Sequence, residues 1–162
     1  MNKWYRFSLL TSCVLLMVVL TAGLAMADIF TYTAELSGAN EVPPNDSTAF
    51  GLATLTIDQG ADLNVPLQVE FSGLSSAQTG CHIHFAPAGS NGGVIFPLGL
   101  GSPLDTFVFF DLVSLANLYA GNLYLNVHTE VYPGGEIRGN FYLTNTVDSE
   151  DTSWGSIKTL YR

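Results

Sequence analysis

Alternation constrains this chain most. Apolar and polar residues exchange places with a period of two in one short run after another, and a period of two is the signature of half-buried strands. In FTYTAEL (30–36), Phe30, Tyr32, Ala34 and Leu36 share one face, opposite Thr31, Thr33 and Glu35. ATLTI (53–57) repeats the pattern. In LNVPLQVEF (63–71), Leu63, Val65, Leu67, Val69 and Phe71 oppose Asn64, Pro66, Gln68 and Glu70. Proline cannot donate to a ladder, so Pro66 predicts an edge strand or a bulge. Further strands are predicted over 80–86, 93–98, 105–113, 122–129 and 136–143, with turn residues in SGANEVPPND, DQGAD, PAGSNGG, GLGSP and YPGG. Only SLANLYAG (114–121) reads as a short helical turn, closed by Gly121. The expected fold is all-β, an antiparallel Greek-key sandwich or barrel of immunoglobulin-like or superoxide-dismutase-like type.

The first 27 residues stand outside that fold. A basic start, MNKWYR, precedes the apolar run FSLLTSCVLLMVVLTAG and the small-x-small sequence Ala25-Met26-Ala27. That order predicts a secretory signal peptide over 1–27. Too little apolar sequence precedes Cys13 for a lipoprotein start. The domain then spans 28–143, with a tail over 144–162 that either frays or docks as a short helix through Trp154, Ile157, Leu160 and Tyr161. No second long apolar stretch follows, so no transmembrane anchor is expected, and the destination is periplasm, cell envelope or medium.

Cleavage after Ala27 removes Lys3 and Arg6, leaving 14 acidic residues against Arg138, Lys158 and Arg162, a formal charge of −11. Such a balance excludes nucleic acid and anionic membranes as partners, since both need clustered cations. Cys81 is then the single cysteine, so no internal disulfide forms. A buried, inert free thiol is the ordinary expectation; pairing between molecules or soft-metal ligation is the sharper one.

The chain has three histidines. On a strand, His82 and His84 project from the same face about 6.6 Å apart at the backbone. Cys81, Ile83 and Phe85 take the core face. In LYLNVH (123–128), Leu123, Leu125 and Val127 form the apolar face, which puts Tyr124, Asn126 and His128 on the polar one. If the two strands are neighbours, three imidazoles meet outside the core. Neutral imidazole suits copper or zinc, and three such ligands leave a position for water or another ligand. The bland alternative is that the rings are polar fasteners bonded between strands or to loop carbonyls. Glu136 and Arg138 share a strand face, and Arg138 is expected to pair with a carboxylate such as Glu35, Glu41 or Glu136. No Ser-His-Asp order, paired catalytic carboxylates or cysteine–histidine nucleophile stands out.

LSGANEVPP (36–44), HIH (82–84), the NGG turn (91–93) and NVHTEVYPGGEIRG (126–139) together resemble the CHRD, or chordin-type, domain, over about Phe30 to Leu143. The resemblance implies an all-β extracellular domain without a defined catalytic activity, hence a binding module for a protein, glycan or matrix partner. Cys81 stands where that family more often has a small residue. GCHIHFAPAG is also similar to the copper motif of Cu,Zn superoxide dismutases, and NVHTE to their later copper-ligand strand. That local similarity implies His82, His84 and His128 as copper ligands, and a copper-binding protein with weak redox or dismutase-like chemistry as the alternative function. No histidine remains here for a bridging or zinc position, and the disulfide pair is missing. A charge of −11 opposes guidance of an anionic substrate.

Overall fold

The computed structural model describes residues 28–58 and 63–147. The predicted leader, most of the DQGAD loop and residues 148–162, with the aromatic and apolar positions of the tail, lie outside the described residues. The described chain forms β1 (Ile29–Ser37), a 3-10 turn (Gly38–Asn40), β2 (Phe50–Asp58), β3 (Asn64–Ser72), β4 (Gln78–Phe85), β5 (Gly93–Pro97) and β6 (Leu104–Phe109). Helix α1 (Leu112–Tyr119), β7 (Leu123–Thr129), β8 (Ile137–Asn140) and β9 (Tyr142–Val147) follow. All strand pairings are antiparallel, in the order β5-β4-β7-β8-β1-β2-β3-β6, with β9 also on β1. The all-β expectation therefore holds, as one sheet that curls until it is nearly closed into a barrel.

Alternation sets the interior. Val65, Leu67 and Val69 are buried along β3 while Asn64, Pro66, Gln68 and Glu70 are exposed. Ala34 and Leu36 of β1, Ala53 and Leu55 of β2, Ile83 of β4 and Leu125 of β7 join the same core. Cys81 belongs there too, fully buried, and burial pushes its thiol pKa up to about 12. So high a value keeps it in the protonated, unreactive form.

One strand position and three boundaries differ from the sequence expectation, each for a local reason. Pro66 marks neither an edge nor a bulge: β3 lies between β2 and β6, and its register with both runs without a shift. The β2 ladder ends at the Leu55–Leu67 pair, one residue short of the proline, so its missing donor interrupts nothing on that side. Strand β6 stops at Phe109 rather than 113 because Asp111 caps the helix, its side chain accepting from the Ser114 amide at 2.7 Å. The helix accordingly starts at Leu112, and Gly121 follows it at φ 71°. The run 136–143 divides at Phe141, whose amide bonds the Leu123 carbonyl, so that β8 pairs with β7 while β9 pairs with β1.

The outer face of β7 departs most from expectation. Tyr124 and Asn126 are almost fully enclosed, so β7 is buried on both sides. Loops cover it. Asn45 donates to the Gly135 and Glu136 carbonyls, Asn91 donates to the Val42 carbonyl, and Arg138 donates to the Ser90 carbonyl. These bonds gather the segments around residues 41–47, 90–92 and 133–136 into a lid over the polar face.

Candidate metal centre

Register builds the site. Strand β4 pairs with β7, and β7 with β8, so that His82, Asn126 and Arg138 form one row across the sheet. His84, Tyr124 and Asn140 form the next row, and Gly80 lies opposite His128. Because Cβ atoms alternate, these side chains share the face away from the core. The three rings meet there, with centroid separations of 5.7 Å for His82–His84, 4.9 Å for His82–His128 and 5.8 Å for His84–His128. One nitrogen from each lies within 4.8 Å of the others. Gly80 permits this closeness: a Cβ there would sit 2.8 Å from His82 Cε1 and 3.5 Å from His128 Cδ2.

Backbone carbonyls fix two of the rings. His84 Nδ1 lies 3.0 Å from the Gly92 carbonyl and His128 Nδ1 lies 3.1 Å from the Pro133 carbonyl. A carbonyl oxygen only accepts, so each Nδ1 carries the proton and each Nε2 keeps a free lone pair. Those two Nε2 atoms are buried without a hydrogen-bond partner, and so is His82 Nδ1. Buried polar atoms nearly always find partners, so three without one on adjacent rings call for a reason. Burial lowers the pKa of His84 and of His128, outweighing the opposing carbonyl bonds, and the neighbouring histidines lower both further. Both rings are thus biased toward the neutral form that can ligate. Metal–nitrogen bonds of about 2 Å would require these nitrogens, now within 4.8 Å of one another, to stand roughly 3.5 Å apart.

Behind His84 stands a stack. Tyr124 lies parallel to His84, at 4.9 Å and 11°, and the Arg138 guanidinium lies 3.5 Å from the centre of the Tyr124 ring. The Tyr124 hydroxyl accepts from the Gly92 amide at 3.0 Å. Arg138 is fully buried and does not form the expected carboxylate pair: it donates to Asn91 Oδ1 at 3.0 Å and to the Ser90 carbonyl at 2.8 Å. The three carboxylates considered for it are engaged differently. Glu35 accepts from the Tyr142 hydroxyl, and Glu136 accepts from Ser47, Ser75 and Thr129. Glu41 accepts a long bond, 3.5 Å, from Asn126.

Burial raises Glu41 to about 7, more than Arg138 and the Asn126 bond can lower it. Its folded-state value thus stands above the unfolded 4.5, so the stability it contributes is fully present below 4.5 and is lost as pH rises through about 7. Glu41→Gln keeps one donor and one acceptor, as the neutral acid does. Thermal unfolding followed from acid to neutral pH should show a decline in the wild type that this variant lacks. Parallel curves for the two proteins would contradict the assignment.

The sequence pairs the histidines but is silent on Gly92, Pro133 and Gly80. Two of these act through backbone carbonyls, which carry no residue-type signal, and the third acts by lacking a side chain.

A family model described as the CHRD domain matches residues 32–141. The chain belongs to the CHRD domain family. The matched span of this CHRD protein runs from β1 through Phe141 and includes all three histidines, Asn126, Glu136 and Arg138. A search of curated proteins gave no match. Among the described residues, no helix is long and apolar enough to cross a membrane.

Proposed function

We propose that this CHRD domain is an exported, non-catalytic binding module that holds one copper or zinc ion on His82, His84 and His128. Two observations carry the reading together: one nitrogen from each of the three rings lies within 4.8 Å of the others, and each ring has a buried nitrogen without a hydrogen-bond partner, two of them on rings whose other nitrogen is committed to a carbonyl. Metal-binding histidines characteristically donate their second nitrogen in this way, which fixes the tautomer and aims the ligand lone pair. A bound ion would supply a Lewis-acidic centre with a position left for an outside donor. The chain contributes the rest: burial that favours the neutral form of His84 and His128, a glycine that lets the rings approach, and loops packed beside them. The polar-fastener reading leaves those three unpartnered nitrogens unexplained.

The loops considered for a protein, glycan or matrix partner, SGANEVPPND and PAGSNGG, are the ones tied down beside the site through Val42, Asn45, Ser90 and Asn91. A partner would therefore meet a braced surface next to the ion.

Calorimetric titration of metal-free protein tests the proposal. Copper or zinc should bind with a stoichiometry of one at micromolar concentration, and the triple variant His82→Ala, His84→Ala, His128→Ala should bind none while keeping the β fold by circular dichroism. Wild type that takes up neither ion, or a triple variant that binds as well as wild type, would end the metal reading.

A further inference from the structure

Granting the three-histidine centre, on which this inference rests, we propose that it is selective for monovalent copper, Cu(I), over Cu(II) and Zn(II). Imidazole by itself serves either valence, so charge and ligand number decide. Every ligand here is neutral: among the described residues, the metal-competent group contains three histidines and neither a carboxylate nor a thiolate. The protein would therefore supply no negative charge to offset a divalent ion in a site where His84 is buried and His82 and His128 are half-buried.

The fixed charge nearby is positive. Arg138 is fully buried, its guanidinium rests on one face of Tyr124, and Tyr124 stacks on His84. Its hydrogen-bond partners, Asn91 and the Ser90 carbonyl, are neutral, so neither cancels the charge. Glu41 is the carboxyl that Arg138 influences from the covering loop, and burial holds it protonated up to about 7. Below that pH the guanidinium on Tyr124 is the uncancelled charge of the stack that ends on His84. Coulomb repulsion scales with the charge of the incoming ion, so the same guanidinium opposes a divalent ion twice as strongly as a monovalent one.

Ligand number points the same way. Three nitrogens complete a coordination shell for a d10 monovalent copper ion. Zinc wants a fourth ligand, and divalent copper a tetragonal set, each of which would have to come from outside the chain.

Parallel competition titrations below pH 7, where Glu41 is neutral, test this, with Cu(I) supplied anaerobically as its acetonitrile complex, and with Cu(II) and Zn(II) in separate runs. The wild type should bind Cu(I) more tightly than either dication, by roughly tenfold or more. Arg138→Met removes the guanidinium charge while keeping an unbranched stem beside Tyr124, and should cut the Cu(I)-over-Cu(II) preference on the order of tenfold. Dication binding in the wild type as tight as Cu(I) binding would overturn the selectivity while leaving the metal site intact. Binding of no ion at all would remove the site itself, and this inference with it. Unchanged selectivity in a folded Arg138→Met protein would overturn the electrostatic cause.

Discussion

Glu136→Ala should lower the stability of the fold by about 2–4 kcal/mol, because it leaves one buried and three part-buried donors without their common acceptor. Glu136 is fully buried between β7 and β8, and its carboxylate accepts from Ser47 Oγ at 2.7 Å, the Ser75 amide at 2.8 Å, Ser75 Oγ at 2.9 Å and Thr129 Oγ1 at 2.7 Å. Three separate stretches of chain thus close on one side chain. Burial alone would raise its pKa, but the bonds from Thr129, Ser47 and Ser75 outweigh that and hold it below the usual 4.5. A depressed folded-state value means that this stability is present above 4.5 and is lost as pH falls through the folded value. Glu136→Gln should recover only part of the loss, since its amide nitrogen turns a donor toward other donors. Urea unfolding measures the effect as a lower midpoint at unchanged slope. A loss below about 1 kcal/mol for the alanine variant would mean that water replaces the carboxylate at little cost.

Gly92→Ala should weaken metal binding by roughly 10- to 100-fold, the usual consequence of removing the group that orients a ligating histidine. A Cβ at this position would overlap the carbonyl oxygen of Phe85 and come within 2.9 Å of the Ala86 Cβ, so the segment has to move. When it moves, His84 Nδ1 loses its carbonyl and the Tyr124 hydroxyl loses the Gly92 amide. His84 then becomes free to take the other tautomer, with its lone pair turned away from the ion. The same titration on wild type and variant reads the loss. A variant with wild-type affinity would show that packing against Tyr124 alone orients the ring.

What could be read before the structure follows from alternation. Ile83 against His82 and His84, and Leu125 and Val127 against Asn126 and His128, are sorted by parity alone, so the core and the facing of the three histidines were legible. The lid was not. Tyr124 and Asn126 look solvent-facing by parity, yet distant segments enclose them through bonds such as Asn45 to Gly135 and Asn91 to Val42, contacts with no local pattern. Arg138 misled for a related reason. Its charge suggested a carboxylate partner, whereas the fold offers it the Tyr124 ring, the Asn91 amide oxygen and the Ser90 carbonyl. The cap at Asp111 was legible in principle, since an aspartate directly before an apolar run marks a helix start.

The central claim concerns which nitrogens face a common point, and nitrogen-15 NMR of labelled imidazoles reads that directly. On adding one equivalent of zinc, a diamagnetic probe, the shifts should show metal on Nδ1 of His82 and on Nε2 of His84 and His128, with the Nδ1 protons of the latter two retained. Zinc that leaves all three rings unshifted, or binds through Nδ1 of His84 or His128, would contradict the account.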